Sequence, residues 1–167
     1  MSSSSSSSSA SSSSASFKAS DPYCAEQDLV DERPNILQYG VSSWDDKIDL
    51  ATQMIDEDLD SRWYRGAASN FGIDWREYPF DNDLLYSSPR IKRLAVYKSL
   101  ELIYRYLMKD APPEQDAFEH QSKLYGKLYE TELKTLISAG VDYDWDASGG
   151  LTSDETKQQG MRRLTRC

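Results

Sequence analysis

Three long segments of the chain carry apolar side chains at helical spacing, and this periodicity constrains the fold more than any other feature. In the first segment the apolar residues recur at steps of three or four: Trp44, Ile48, Ala51, Ile55, Leu59 and Trp63. Residues spaced in this way lie on one face of an α-helix. The opposite side carries Asp49, Asp56, Glu57 and Asp60, so we expect it to face solvent. Gly66 is the predicted end of this helix.

The other two long segments are also predicted to be helices. The second has Ser88 as N-cap and Pro89 as first helical residue, and it extends to about Met108. The third is predicted over residues 113–139, with Gly140 after its last turn. A short helix at residues 25–32 precedes them. The pattern therefore predicts a mainly α fold, a small bundle of three long helices and a short N-terminal helix.

The connection between the first two long helices, residues 66–87, is unusually rich in aromatic side chains. They alternate with polar residues, which favours a short hairpin or an extended arm, and a connection this long is usually functional when it is ordered. Tyr and Trp are enriched where protein surfaces meet. We therefore predict protein contacts at Tyr64, just before this connection, and at Trp75, Tyr78 and Phe80 within it, with burial in the chain's own core as the alternative for each.

Residues 141–146 alternate between apolar and acidic side chains. Val141, Tyr143 and Trp145 alternate with three aspartates, which predicts a short β element with an acidic outer face. The aspartates also have the one-three-five spacing of a calcium-binding loop, but Ala147 and Ser153 occupy the positions that require glycine and glutamate. We therefore expect a solvated strand face and no metal site.

The two ends of the chain differ from its body in composition and charge. Residues 1–20 contain 14 serines and are predicted to be a disordered tail. Residues 21–150 are predicted to form the folded domain, and residues 151–167 a flexible arm with a net charge of +2. The whole chain has a net charge of −9, which leaves about −12 for residues 21–150. Such a body repels nucleic acid, because DNA affinity comes mainly from Lys and Arg that neutralise phosphates.

The sequence contains no recognisable set of catalytic residues. His120 is the only histidine and is predicted to lie on the solvent side of the third helix. The serines lack a Gly-x-Ser-x-Gly setting, and the glycines form no phosphate-binding loop. Acid pairs such as Glu130 with Glu132, or Asp56 with Asp60, are expected on solvated helix faces. We therefore predict no catalytic residue, cofactor or metal, and no enzymatic activity.

Targeting and redox features are also missing from the sequence. The serine run does not have the form of a secretory signal, and no stretch approaches the roughly 20 apolar residues that cross a bilayer. Cys24 and Cys167 lie near opposite ends of the chain, as expected for thiols of a reducing compartment. We expect synthesis in a cytoplasm and no membrane association.

The order and character of these elements resemble the head–tail connector proteins of tailed bacteriophages, also called adaptor or head-completion proteins. The likeness covers about residues 23–146, roughly three quarters of the chain. It rests on four features in order: Tyr23-Cys24 with Asp28-Leu29, the helix 46–64 with its long connection, the segment Ser88-Pro89-Arg90-Ile91-Lys92-Arg93-Leu94-Ala95-Val96-Tyr97, and the tyrosine-rich third helix followed by Asp142–Asp146. The serine-rich start has no counterpart in the family pattern.

The resemblance implies a structural role in the virion neck. Such proteins form a ring, often of twelve copies, beneath the portal protein and join it to the next neck or tail-completion protein. If the resemblance holds, Tyr64 and the three aromatic residues Trp75, Tyr78 and Phe80 contribute to subunit or neck contacts, and DNA passes through an acidic lumen without specific binding. The portal-docking arm would comprise Met161, Arg162, Arg163, Leu164 and Arg166.

Two alternatives come from other functional classes. An acidic regulator or DNA mimic would bind and inhibit a nucleic-acid-binding protein through carboxylates spaced like phosphates, and its binding would weaken in high salt. An enzyme with an unrecognised carboxylate site would need a deep pocket that holds two inward-facing acids. Of these hypotheses, the connector is the one that the family resemblance favours.

Overall fold

A computed structural model describes residues 21–86, 88–110 and 116–149, and within these ranges the chain is the mainly helical bundle that its sequence predicts. The helices are α1 (Glu26–Glu32), α2 (Asp45–Leu59), α3 (Arg65–Phe71), α4 (Pro89–Asp110) and α5 (Asp116–Ala139). Short 3-10 turns occupy Ile36–Tyr39 and Asn82–Leu84. The serine-rich start and the basic arm lie outside the described residues.

Helix α2 continues into α3 through a π-helical turn, Asp60–Tyr64, so the first long helix extends to Phe71. Its predicted apolar face is confirmed, since every member from Trp44 to Trp63 is buried. The predicted end at Gly66 is wrong. The helix ends at Gly72, whose φ of 76° lies in the left-handed region that glycine adopts most readily. There the Ile73 N–H donates to the Ala68 carbonyl at 3.0 Å, the bond of a Schellman motif.

Helices α4 and α5 form an antiparallel hairpin at the centre of the bundle. Tyr104 stacks on Tyr125 with ring centroids 5.9 Å apart. Glu101 of α4 is buried and accepts a hydrogen bond from Lys98 Nζ at 3.1 Å. Gly126 of α5 lies against the Glu101 side chain, where an added Cβ would be 3.5 Å from Glu101 Cδ. Gly126 therefore packs directly against a buried charge on the facing helix.

Helix α1 and the residue that follows it contact this hairpin through hydrogen bonds and an ion pair. Arg33, after α1, donates to the Tyr125 hydroxyl and to Gln121 of α5, both at 2.6 Å. Lys92 of α4 forms an ion pair with Asp28 of α1 at 2.8 Å. Partial burial raises the pKa of Asp28, but hydrogen bonds from Lys92 and from the Ala25 N–H outweigh it and hold that pKa below its ordinary value.

The segment after α5 differs from its prediction. Among the described residues it forms one antiparallel bridge, Leu85 with Tyr143, and no extended strand. Asp144, predicted on an acidic outer face, is buried. Its carboxylate accepts hydrogen bonds from the Ser148 N–H at 3.1 Å and the Gly149 N–H at 2.7 Å, so it closes a turn. The alternating pattern identified Val141, Tyr143 and Trp145 as the residues that pack on the core, but not this turn.

No helix in the described part of the chain is both long enough and apolar enough to span a lipid bilayer.

Candidate protein-binding cleft

A cleft opens where the connection after α3 meets the segment after α5. The two segments are held together by the Leu85–Tyr143 bridge, with the Tyr86 N–H donating to the Asp142 carbonyl at 3.0 Å and the Asp144 N–H donating to the Leu84 carbonyl at 2.9 Å. The cleft between them has a volume of about 760 Å³. This volume lies within the range of sites that bind small molecules or peptide side chains.

Aromatic rings form the floor of the cleft. The Tyr64 and Trp145 rings stack with their centroids 5.5 Å apart and an angle of 7° between their planes. Phe80 stacks on Tyr143 at 5.8 Å. Phe71 supports this floor from α3, with its ring 4.5 Å from that of Trp145. Rings contributed by three separate segments therefore fix one another, and a floor of this kind is preorganised for a ligand.

Two tyrosine hydroxyls fix the walls of the cleft to its floor. The Tyr64 hydroxyl donates to the Tyr78 carbonyl at 2.8 Å, and the Tyr143 hydroxyl accepts from the Asp81 N–H at 3.1 Å. Burial raises the pKa of both tyrosines, so both hydroxyls keep their protons at neutral pH. These bonds hold the connection against the bundle although much of it is irregular.

Carboxylates surround the opening. Asp74, Glu77, Asp81 and Asp146 line the cleft, and all four are exposed. Hydrogen bonds from the Ser148 hydroxyl and the Ser148 N–H lower the pKa of Asp146, which keeps it ionised at neutral pH. The cleft thus combines an apolar aromatic floor with an anionic rim, an arrangement that suits a basic ligand with apolar side chains.

The structure brings together three of the four aromatic residues predicted to make protein contacts. Tyr64, Tyr78 and Phe80 line the cleft, and Trp75 does not. Tyr64 is only 3% exposed and belongs to the chain's own core, whereas Tyr78 is 62% exposed. Trp75 is half-buried and lies near two guanidinium groups, those of Arg65 at 4.9 Å and Arg76 at 5.1 Å from its ring centroid.

Several cleft residues were not predicted from the sequence: Tyr143, Trp145 and the four rim carboxylates. The available signal was the alternation over 141–146, which resembles that of the aromatic connection. Two alternating segments in one chain are candidates to pair with each other. The predicted arm residues Met161, Arg162, Arg163, Leu164 and Arg166 lie outside the described residues.

The acidic residues considered for acid–base chemistry have structural partners. Glu130 accepts two hydrogen bonds from Arg62, at 2.9 and 3.1 Å, and these bonds lower its pKa. Glu132 pairs with Arg93 at 3.5 Å, and Asp60 pairs with Arg65 at 2.7 Å. Glu130 and Glu132 therefore join α5 to neighbouring segments of the bundle, whereas Asp60 pairs within its own helix.

Residues of the types that bind metal ions do not cluster in the described ranges. His120 is exposed on α5. In the described part of the chain, no three His, Cys, Asp or Glu side chains converge as a metal ion would require. In the Asp142–Asp146 run, Asp144 is directed toward backbone N–H groups of its own turn. Among the described features, the aromatic cleft is the strongest candidate binding site.

Comparison with known proteins identifies no matching family model, no matching curated protein and no matching solved structure.

Proposed function

We propose that the chain is a non-enzymatic structural protein, a head–tail connector that assembles as a ring beneath a phage portal and joins the capsid to the next neck or tail protein. The observation that carries this proposal is the aromatic cleft, which offers an exposed, preorganised surface for another polypeptide. The helical bundle and the element order noted in the sequence agree with such a role. The acidic body is compatible with a lumen through which DNA passes without being held.

Tyr78 is the side chain best placed to contact a neighbouring subunit or neck protein. It is the most exposed large apolar residue in the described part of the chain. Aromatic side chains that become buried at the centre of an interface contribute disproportionately to binding. In this proposal Tyr78 inserts between copies of the chain in the ring, and residues 161–166 dock on the portal.

The test is assembly with and without the portal protein encoded by the same genome. Size-exclusion chromatography with light scattering is expected to show a ring either for the chain alone or for the chain mixed with portal rings. Tyr78→Ser should weaken assembly about tenfold or more, the loss typical of an aromatic hot spot. Leu50→Ser is the matched control, because Leu50 is also exposed but lies outside the cleft. A chain that stays monomeric and ignores portal rings would contradict the proposal.

A further inference from the structure

We infer that in the free chain the aromatic cleft binds the chain's own basic segment, residues 157–166. This segment contains Lys157, Arg162, Arg163 and Arg166, together with Met161 and Leu164. The inference goes beyond the proposed function and does not depend on it. A bound segment would keep the aromatic floor covered until another protein competes for the segment or for the cleft.

The charges of the cleft and the segment are complementary. None of the rim carboxylates, Asp74, Glu77, Asp81 and Asp146, forms an ion pair with a cation of the described ranges. Asp74, Asp81 and Asp146 accept hydrogen bonds from backbone N–H groups of neighbouring residues, and all three remain exposed to solvent. Residues 157–166 contain four positive charges and no acid. Guanidinium groups bind such oxygens with short, charge-assisted hydrogen bonds.

The floor of the cleft suits the other side chains of the segment. Arginine stacks favourably on aromatic faces, and this chain already places Arg65 and Arg76 within 5.1 Å of the Trp75 ring centroid. Methionine makes favourable sulfur–aromatic contacts, and leucine loses contact with water. Phe80 and Trp145 are half-buried and offer surface for such contacts. Neither a purely acidic patch nor a purely apolar one would fit a segment of this mixed composition.

The covalent connection brings the segment close to the cleft. Ala147 lines the cleft, and the described chain continues from it to Gly149. Eight residue steps separate Gly149 from Lys157, a span of at most about 28 Å. This span is long enough for residues 157–166 to fold back onto the cleft, because Ala147, which lines the cleft, is only two residues before Gly149. A tethered ligand has a high effective concentration, so even weak contacts would keep the cleft occupied.

The test uses the full-length chain with a nitroxide spin label on Cys167. Cys24 is the competing thiol, but it is buried and burial raises its pKa to about 11, so it should react slowly with the label. Paramagnetic broadening of amide resonances then reports which residues lie near Cys167. We expect loss of peak intensity at Ile73, Glu77 and Ala147 in low salt, and recovery in high salt. His120 should remain sharp, since it lies about 28 Å from the C-terminal end of α5.

Variants and mixing separate the possible outcomes. Arg162→Glu with Arg163→Glu should abolish the broadening, and Asp74→Asn with Glu77→Gln should reduce it. Asp49→Asn with Glu57→Gln is the matched control, because these exposed acids of α2 lie outside the cleft. At a concentration where light scattering shows the chain to be a monomer, a spin-labelled chain mixed with an unlabelled, isotope-enriched chain should cause no broadening. Broadening in the mixture would overturn intramolecular binding in favour of a second copy, and sharp cleft resonances in the labelled chain would overturn binding to the cleft altogether.

Discussion

The Tyr23 hydroxyl donates to the Asp56 carboxylate, and this contact joins the segment before α1 to α2. Burial raises the pKa of Asp56, and hydrogen bonds from Tyr23 and Asn82 oppose that rise only in part. Because its folded-state pKa lies above its unfolded value, Asp56 favours folding when it is protonated. This contribution is lost as the pH rises through the folded-state pKa. The Tyr23 hydroxyl limits the loss by stabilising the charged form.

Tyr23→Phe should therefore destabilise the chain more at pH 7 than in acid. At pH 7 the variant loses a hydrogen bond to a charged group, at a cost of about 2 kcal/mol, whereas at a pH of about 3.5 the bond to a protonated Asp56 contributes about 1 kcal/mol or less. Urea denaturation of both proteins at the two pH values measures the difference. Tyr78→Phe is the control, because that ring is largely exposed. An equal loss of stability at both pH values would show that Asp56 does not change its protonation state between them, and would contradict its raised pKa.

Two glycines test where the first long helix ends. Gly66 lies inside α3, and an added Cβ there would meet nothing within 4 Å, so Gly66→Ala should stabilise the chain by about 0.8 kcal/mol through helix propensity. Gly72 has a positive φ, so Gly72→Ala should destabilise it by roughly 1 kcal/mol. Both changes add one methyl group and differ only in backbone conformation. Opposite shifts in the urea midpoint are expected. Shifts in the reverse sense would place the helix end at Gly66, as the sequence suggested.

Local patterns in the sequence predicted the helical elements well and the cleft only in part. Steps of three and four define a helix face wherever the chain is helical, and Ser88-Pro89 marks the start of α4 because both act within one turn. The end of α3 depends on a choice between two glycines, which the burial of Ala67 and Ala68 decides. The cleft depends on the pairing of Leu85 with Tyr143, segments distant in sequence. The alternating patterns indicated that the connection 66–87 and residues 141–146 are both extended, but they did not specify that the two segments pair. Only the cleft residues Tyr64, Tyr78 and Phe80 could therefore be predicted.

The core of the whole molecule is continuous, from Leu29 of α1 through the α4–α5 hairpin to Tyr143. We therefore expect a single cooperative unfolding transition in which helix content and tryptophan fluorescence change together, because Trp63 and Trp145 lie at the cleft end of that core. Neither EDTA nor a reducing agent should shift the midpoint, since burial of side chains supplies the stability. Calcium should not raise it either, because a ligand stabilises only if it binds the folded state. A calcium-dependent rise that Asp146→Asn abolishes would instead reveal a metal site at Asp142–Asp146. Two separate transitions would show that the segment around the cleft folds independently of the helices.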